Sequence, residues 1–460
     1  MAGRERMASM DAAWLQMEEP ANLMMITAVL WFDGAVDLER LRAVVRERLV
    51  ERYPRFRQRV VPGPLGAPHW EDAPDFELEE HLSTLRVPES AGRAGLEALV
   101  GDWLGVPLER SRPLWHFHLV RGAPGGDVLL ARLHHCIADG IALARVLLSL
   151  TDPVDAAAVP ETWDESQEAV TPSEPERRPG APGWLRFARG ARSALRKGAE
   201  MVREPILAGD LVREGAKGAA ALGKLLVLPP DPRSPLRGPL GPRKVAAWSE
   251  PIELERVKAV GRTLGGTVND VLLTAVTGAL RRYLATRDAP LEDVHALVPV
   301  NLRPMDVPVP RELGNRFGVV FLRLPIHLAE PRRRLREVAK RMEHLKRSPE
   351  AVVTSGVLEL LGRTPAALER AVVDVMGAKA SLVATNVPGP RQPVSLAGSR
   401  LKGLTFWVPQ AGHVGLGVSL FSYSGQVTVG VASDASRVPD PGALVAAFQE
   451  ELDALATLAP

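Results

Sequence analysis

Apolar residues recur at helical spacing through "VDLERLRAVVRERLVERYP" (36–54), which predicts a helix that has to stop at Pro54. Further on, "LWHFHLV" (114–120) reads as a strand, "RGAPGGD" as a turn and "VLLARLHH" (128–135) as the returning strand of a hairpin. "CIADG" is then a short loop, and "IALARVLLSL" (141–150) has the apolar density of a packed helix. The same alternation of elements resumes after residue 246. "TVNDVLLTAVTGALRRYLATR" (267–287) predicts a long helix, and "VHALVPVNLRP" (294–304), "RFGVVFLRLP" (316–325) and "ASLVATNVPGP" (380–390) predict strands closed by Pro or Gly. "VGLGVSLFSYSGQVTVGVASD" (414–434) predicts a hairpin turning at Ser424-Gly425, and a final helix follows Asp440. Strands and helices occur in both halves, so the pattern indicates an α/β or α+β protein.

Between the halves the pattern breaks. "DESQEAVTPSEPERRPGAPG" is polar and Pro-rich, as a linker is, and "PPDPRSPLRGPLGPRK" interrupts the chain again before residue 245. The expected organisation is a first domain over 1–155, a linker over 156–245 and a second domain over 246–460. Within the linker, 183–226 reads as helical and basic. Its nine Lys and Arg against four acids leave a local charge of +5. Trp184, Leu185, Phe187, Ala188, Ala191 and Leu195 could form an apolar face edged by Arg186, Arg189, Arg196 and Lys197. Such a helix suits an anionic membrane interface or a lipid droplet, and equally a linker helix packed on its own domain.

Composition narrows the partners. At 460 residues the chain exceeds one ordinary core, and 46% hydrophobic with 24% charged residues describes a globular protein. A net charge of +2 argues against a dedicated nucleic-acid binder. The single cysteine, Cys136, excludes an intramolecular disulfide and fits a reducing compartment. Acidic residues occupy the start where a signal peptide needs an apolar core, and no run approaches the roughly 18 to 20 apolar residues that span a bilayer. The expectation is a cytoplasmic protein, free or peripheral on the inner membrane face or on lipid inclusions.

The candidate chemistry sits in "ARLHHCIADGIALARVL" (131–147), where two histidines and an aspartate interrupt an apolar run. Side chains alternate along a strand, so His134 and His135 should face opposite ways and only one can enter a given cleft. Gly140 is expected to permit a tight strand-to-helix turn, and Asp139 either organises the loop or caps the helix. A neutral imidazole held there can accept a proton from a hydroxyl. Three other readings are weaker. His116 and His118 share a strand face, but their spacing matches no familiar zinc pattern, and no metal is expected. Cys136 should point away from whatever His135 faces and reads as inert packing. "GAAALGKL" (218–225) mimics a phosphate loop but has Leu225 where Ser or Thr would hold magnesium.

"HHCIADG" is the HHxxxDG signature of the bacterial wax ester synthase/diacylglycerol acyltransferase family, within the CoA-dependent acyltransferase superfamily, and the chain resembles that family throughout. "MDAAWLQMEEPANLMMI" resembles its opening segment, "YPRFRQRVV" (53–61) the stretch after its first helix, and "RPLW" (112–115) its PLW motif. "VNDVLLTAVTGALRRYL" resembles its ND-containing helix, with Asn269 and Asp270. "ATNVPGP" (384–390) resembles its SNVPGP element with Thr385 in place of Ser, and "SYSGQVTVGVASD" its closing hairpin.

The resemblance implies a two-domain chloramphenicol acetyltransferase-like fold with a channel between the domains. It makes His135 the general base, His134 supportive, and Asp139 an orienting residue with a cationic partner, for which Arg303 is the candidate. Asn269 and Asp270 would support the site or the domain contact, or simply cap their helix. The implied reaction moves a fatty acyl group from acyl-CoA, as substrate and without a cofactor, to a long-chain alcohol or diacylglycerol, with no acyl-enzyme. A superfamily relative acting on another hydroxyl or amine, and a non-catalytic lipid-binding paralogue, are the alternatives.

Overall fold

The computed structural model describes residues 4–63, 67–155, 228–303, 309–361, 366–410 and 412–459. The basic segment 183–226 and the phosphate-loop mimic therefore lie outside the described residues. Along the first half the chain forms β1 (Glu5–Arg6), α1 (Ser9–Met17), β2 (Met25–Phe32), α2 (Leu38–Val45), β3 (Gln58–Pro62), β4 (Pro68–Asp72) and β5 (Leu82–Arg86). It continues through α3 (Gly92–Leu104), β6 (Trp115–Arg121), β7 (Val128–His134), α4 (Gly140–Leu148) and β8 (Asp152–Pro153). The second half begins with β9 (Lys244–Trp248), β10 (Ile252–Glu253), α5 (Leu254–Leu264), α6 (Val268–Ala285), β11 (Val294–Asn301) and β12 (Phe317–Leu324). The helices α7 (Pro331–Lys346), α8 (Glu350–Leu361) and α9 (Ala366–Gly377) follow. Next come β13 (Leu382–Pro388), β14 (Val394–Leu396), β15 (Ser399–Trp407), β16 (Leu416–Tyr423), β17 (Gln426–Asp434) and α10 (Pro441–Thr457).

Local sequence explains most of these boundaries. α2 ends at Val45, and the chain widens into a π turn over Arg46–Val50, closed by the Glu51 N–H donating to Arg46 O at 3.0 Å, before Pro54 forbids continuation. α6 starts in a capping box, in which Asp270 N–H donates to Thr267 Oγ1 at 3.2 Å and Thr267 N–H donates to Asp270 Oδ2 at 2.9 Å. The turn between β16 and β17 needs two left-handed residues, and Ser424 and Gly425 supply φ of 48° and 76°.

Two mixed sheets carry the architecture. The first has the order β5-β6-β7-β2-β15-β14-β8, and the second β10-β17-β16-β13-β11-β12, with β9 also paired to β17. A small sheet, β1-β4-β3, lies apart. In the first sheet β2 sits between β7 and β15, both antiparallel to it, with Met25 opposite His134 and Thr27 opposite Trp407. Thus β14 and β15, which come late in the chain, complete the sheet of the first half and cross the domain division that the sequence pattern predicts. Strand β15 is buried from Gly403 to Trp407 on both faces, so it lacks the polar alternation that would have marked it as a strand.

The core of the second half is built on α6, whose Val271, Leu272, Val276 and Leu280 are buried. It packs against α10, and Arg334 of α7 reaches Glu451 of α10 at 2.5 Å. The core of the first half gathers Leu133, Cys136, Ile137 and Leu143 together with Val387, Phe406 and Phe421 from the later strands. The end of β7 therefore lies where the two halves meet.

Candidate active site

Strand β7 ends at His134, and His135 follows it into different surroundings, both pinned by neighbours on either side. His134 N–H donates to Leu114 O of the RPLW segment at 2.9 Å, and His135 N–H donates to Met24 O at 2.8 Å. The His134 ring accepts the Cys136 N–H at Nδ1, 3.1 Å, which leaves Nε2 to donate to Glu18 Oε2 at 3.1 Å. Burial alone would raise the Glu18 carboxyl, but hydrogen bonds from His134 and Arg110 bring it down to about 2.

The His135 ring is 4% exposed and lies face to face with Trp14 of α1, ring centroids 3.9 Å apart and planes at 22°. Phe317 tilts against it at 5.7 Å. Burial drives the imidazole pKa down to about 3, with His134 acting in the same direction and polar contact with its own backbone and with Asn315 acting against it. The ring is therefore neutral across the physiological range, as a proton acceptor has to be. Cys136 is wholly buried beside it, and burial pushes its thiol well above the usual range, so it stays a thiol and not a nucleophilic thiolate.

Asp139 both caps a helix and ties the loop to the other half. Its Oδ1 accepts the Ala142 N–H at 2.9 Å as the N-cap of α4. Its Oδ2 accepts the Arg316 N–H at 3.1 Å and lies 3.7 Å from Arg303 Nη2. Gly140 corrects the sequence expectation. It is the first residue of α4, not a turn in its own right, and a Cβ there would stand 3.3 Å from Val408 Cγ1, which would have to give way by a few tenths of an ångström. Asn269 Oδ1 accepts from Asn386 Nδ2 at 3.0 Å, and Asp270 is used in the α6 capping box. Among the described residues neither bonds to His135.

Five residues absent from the sequence reading complete the site: Asp11, Trp14, Glu18, Asn315 and Phe317. Two lie on α1 and Glu18 directly follows it, while "LGNRF" (313–317) leads into β12 from the second half. Asp11 Oδ1 accepts from Asn315 N at 2.9 Å and from Asn315 Nδ2 at 2.9 Å, and Asn315 Nδ2 also donates to His135 O at 2.8 Å. Burial raises the Asp11 carboxyl to about 6 against these bonds. The available signal was an acid inside the apolar "MDAAWL" and an Asn at the mouth of a buried strand.

His116 and His118 stack at 4.2 Å and share the Ser83 hydroxyl, at 3.1 and 2.6 Å. Among the described residues no group of three or more His, Cys, Asp or Glu is arranged to hold a metal ion. A surface cleft of about 650 Å³ opens elsewhere, beside Trp248, Glu250 and Gln449.

Two mixed sheets, the first taking in two late strands from the second half, with a histidine where the halves meet, define the two-domain acyltransferase fold. A wax ester synthase/diacylglycerol acyltransferase from Marinobacter aquaeolei VT8 superposes with a TM-score of 0.69 at 23% identity, over 99% of both chains. The first condensation domain of the calcium-dependent antibiotic synthetase superposes at 0.61 with 17% identity, over 99% of this chain and 96% of that one. Residues 7–272 match the wax ester synthase/diacylglycerol acyltransferase catalytic domain, and residues 313–456 match the WS/DGAT C-terminal domain. The chain belongs to this family and is an acyltransferase. The probable diacylglycerol O-acyltransferase tgs1 of Mycobacterium tuberculosis is 29% identical over 98% of this chain and 96% of its own.

Proposed function

We propose that the protein transfers a fatty acyl group from acyl-CoA to the hydroxyl of a long-chain alcohol, of diacylglycerol, or of both, with His135 as general base. The observation that carries this reading is the buried, neutral imidazole at the end of β7, between elements of both halves. His135 takes the hydroxyl proton as the oxygen attacks the thioester carbonyl. The tetrahedral intermediate collapses, the C–S bond breaks, and the imidazolium returns the proton to the departing CoA thiolate. No acyl-enzyme forms, and the thiol of Cys136 takes no part. Asp139, Arg303 and the Arg316 backbone hold the loop that carries the base, and His134 with Glu18 holds its other side. Asn269 and Asp270 act at a distance, by fixing the start of α6 against β13. The basic segment 183–226 is proposed to bring the enzyme to an anionic membrane or inclusion surface, where its oily acceptors reside.

The test is CoA release from palmitoyl-CoA with hexadecanol, with diacylglycerol and with no acceptor. Acceptor-dependent release is expected, and His135→Ala should lower it by about 10² to 10⁴ fold while the protein stays folded. Turnover near wild type in His135→Ala would remove the base from the mechanism. Release that ignores the acceptor would remove the transfer itself.

A further inference from the structure

We infer that Asn315 is the positioning residue of His135: its Oδ1 holds the imidazole Nδ1–H, so that Nε2 presents its lone pair to the acceptor hydroxyl. The inference rests on His135 being the base.

The direction of the Asn315 amide follows from its neighbours. Its Nδ2 donates to Asp11 Oδ1 at 2.9 Å and to His135 O at 2.8 Å, so both donor hydrogens are committed to oxygen acceptors. Turning the amide over would face Oδ1 with a carboxylate and a carbonyl, two acceptors and no donor. Oδ1 is therefore directed to the remaining side, where it is buried with no hydrogen-bond partner among the described residues. Among the described residues His135 Nδ1 is in the same condition, buried and without a hydrogen-bond partner. Side-chain contact between Asn315 and the imidazole favours a proton on the ring, as an acceptor at that nitrogen would.

The ring's other polar contact is with its own backbone, and among the described residues no other side chain competes for Nδ1. Asp139, the acid nearest in sequence, is occupied by Ala142 N, Arg316 N and Arg303. Trp14 and Phe317 meet the ring as aromatic planes. Asp11 stands one helical turn before Trp14 on α1, so one helix both backs the amide and covers the imidazole. The order Asp11, Asn315, His135 thus sets the tautomer without placing a negative charge on the ring itself, and a neutral acceptor leaves the base uncharged until the hydroxyl proton arrives.

The experiment uses the full chain with palmitoyl-CoA and hexadecanol. Asn315→Ala should lower kcat about 10-fold to 100-fold, the scale for losing a partner that orients a reacting group, with KM for either substrate little changed. Combined with His135→Ala, it should cost nothing beyond His135→Ala alone, because it acts through that ring. An unchanged kcat in Asn315→Ala, or a further loss of the same size in the double variant, would overturn the inference. A variant pair that preserves volume guards against misfolding. Asn315→Asp alone sets two carboxylates together, whereas adding Asp11→Asn restores a donor facing an acceptor. Recovery of kcat by the pair over Asn315→Asp supports the relay, and a pair no better than the single variant overturns it. If His135→Ala keeps wild-type turnover, the base assignment fails and this inference with it. If His135→Ala is inactive and Asn315→Ala is not impaired, only the inference fails.

Discussion

His134 and His135 are the same residue type one position apart, and their neighbours give them different work. His134 has both ring nitrogens bonded, to Cys136 N and Glu18, while His135 is stacked under Trp14 with no hydrogen-bond partner at Nδ1 among the described residues. The same burial acts on the second histidine pair, His116 and His118, whose values are brought down from 6.5 to about 4 and about 3. A histidine kept neutral in the fold takes up a proton first in the unfolded chain, so stability falls as pH drops from 6.5 toward these lowered values. Glu18, at about 2 in the fold against 4.5 otherwise, adds to the loss below pH 4.5. Asp11 works the other way between pH 6 and 3.8, because the folded protein protonates it first, and it is one group against several. The melting temperature is therefore expected to fall steadily from pH 7 to pH 4, with a shallower slope in His116→Gln/His118→Gln. A melting temperature constant over that range would show that these rings are not held neutral by burial. At this scale the sequence exposed the type and order of the histidines. It did not expose Asn315, which is 180 residues away from His135 along the chain.

Elements show the same division between near and far. The starts of α4 and α6 rest on local chemistry, because an N-cap needs only a side chain two or three positions from an orphan N–H, as Asp139 and Thr267 supply. Of the two, only Asp139 stood out as a cap candidate in the sequence. What packs on the faces was not legible. Gly278, midway along α6, looks replaceable, since Ala is about 1 kcal/mol better than Gly inside a helix. In the fold a Cβ there would run into the Glu451 carboxylate and the Arg334 guanidinium, which are buried against each other between α10 and α7. Gly278→Ala is thus expected to destabilise by about 1 to 3 kcal/mol, the usual cost of overpacking. Chemical denaturation measures it directly, and a stabilised variant would mean that the ion pair shifts freely aside.

On the scale of the whole molecule, the first-half sheet takes in two strands from the second half, β15 and β14, and the site is assembled across that seam. Asp139 from one half meets Arg303 and Arg316 from the other, and His135 meets Phe317. Among the described residues no helix is long and apolar enough to cross a membrane, and contact with a lipid surface is proposed. The +5 segment beside Trp184 and Phe187 is the proposed means. Each basic residue near an anionic surface contributes about 1 kcal/mol and is screened by salt. The protein is expected to sediment with anionic liposomes at low salt and to be released in part as salt rises. Changing Arg186, Arg189, Arg196 and Lys197 to Gln should weaken that binding and spare transfer to a short soluble alcohol. Equal recovery of both forms with the vesicles would assign the segment to linking alone. By itself the sequence determined the hairpin, the long helix and the HHCIADG loop, because each depends on periodicity or on contacts a few residues apart. Only the tertiary structure decided that β15 joins β2, that Trp14 covers His135 and that Asn315 and Asp11 stand behind it. Those pairings are made by burial between segments up to several hundred residues apart, and no local pattern carries the position of a distant partner.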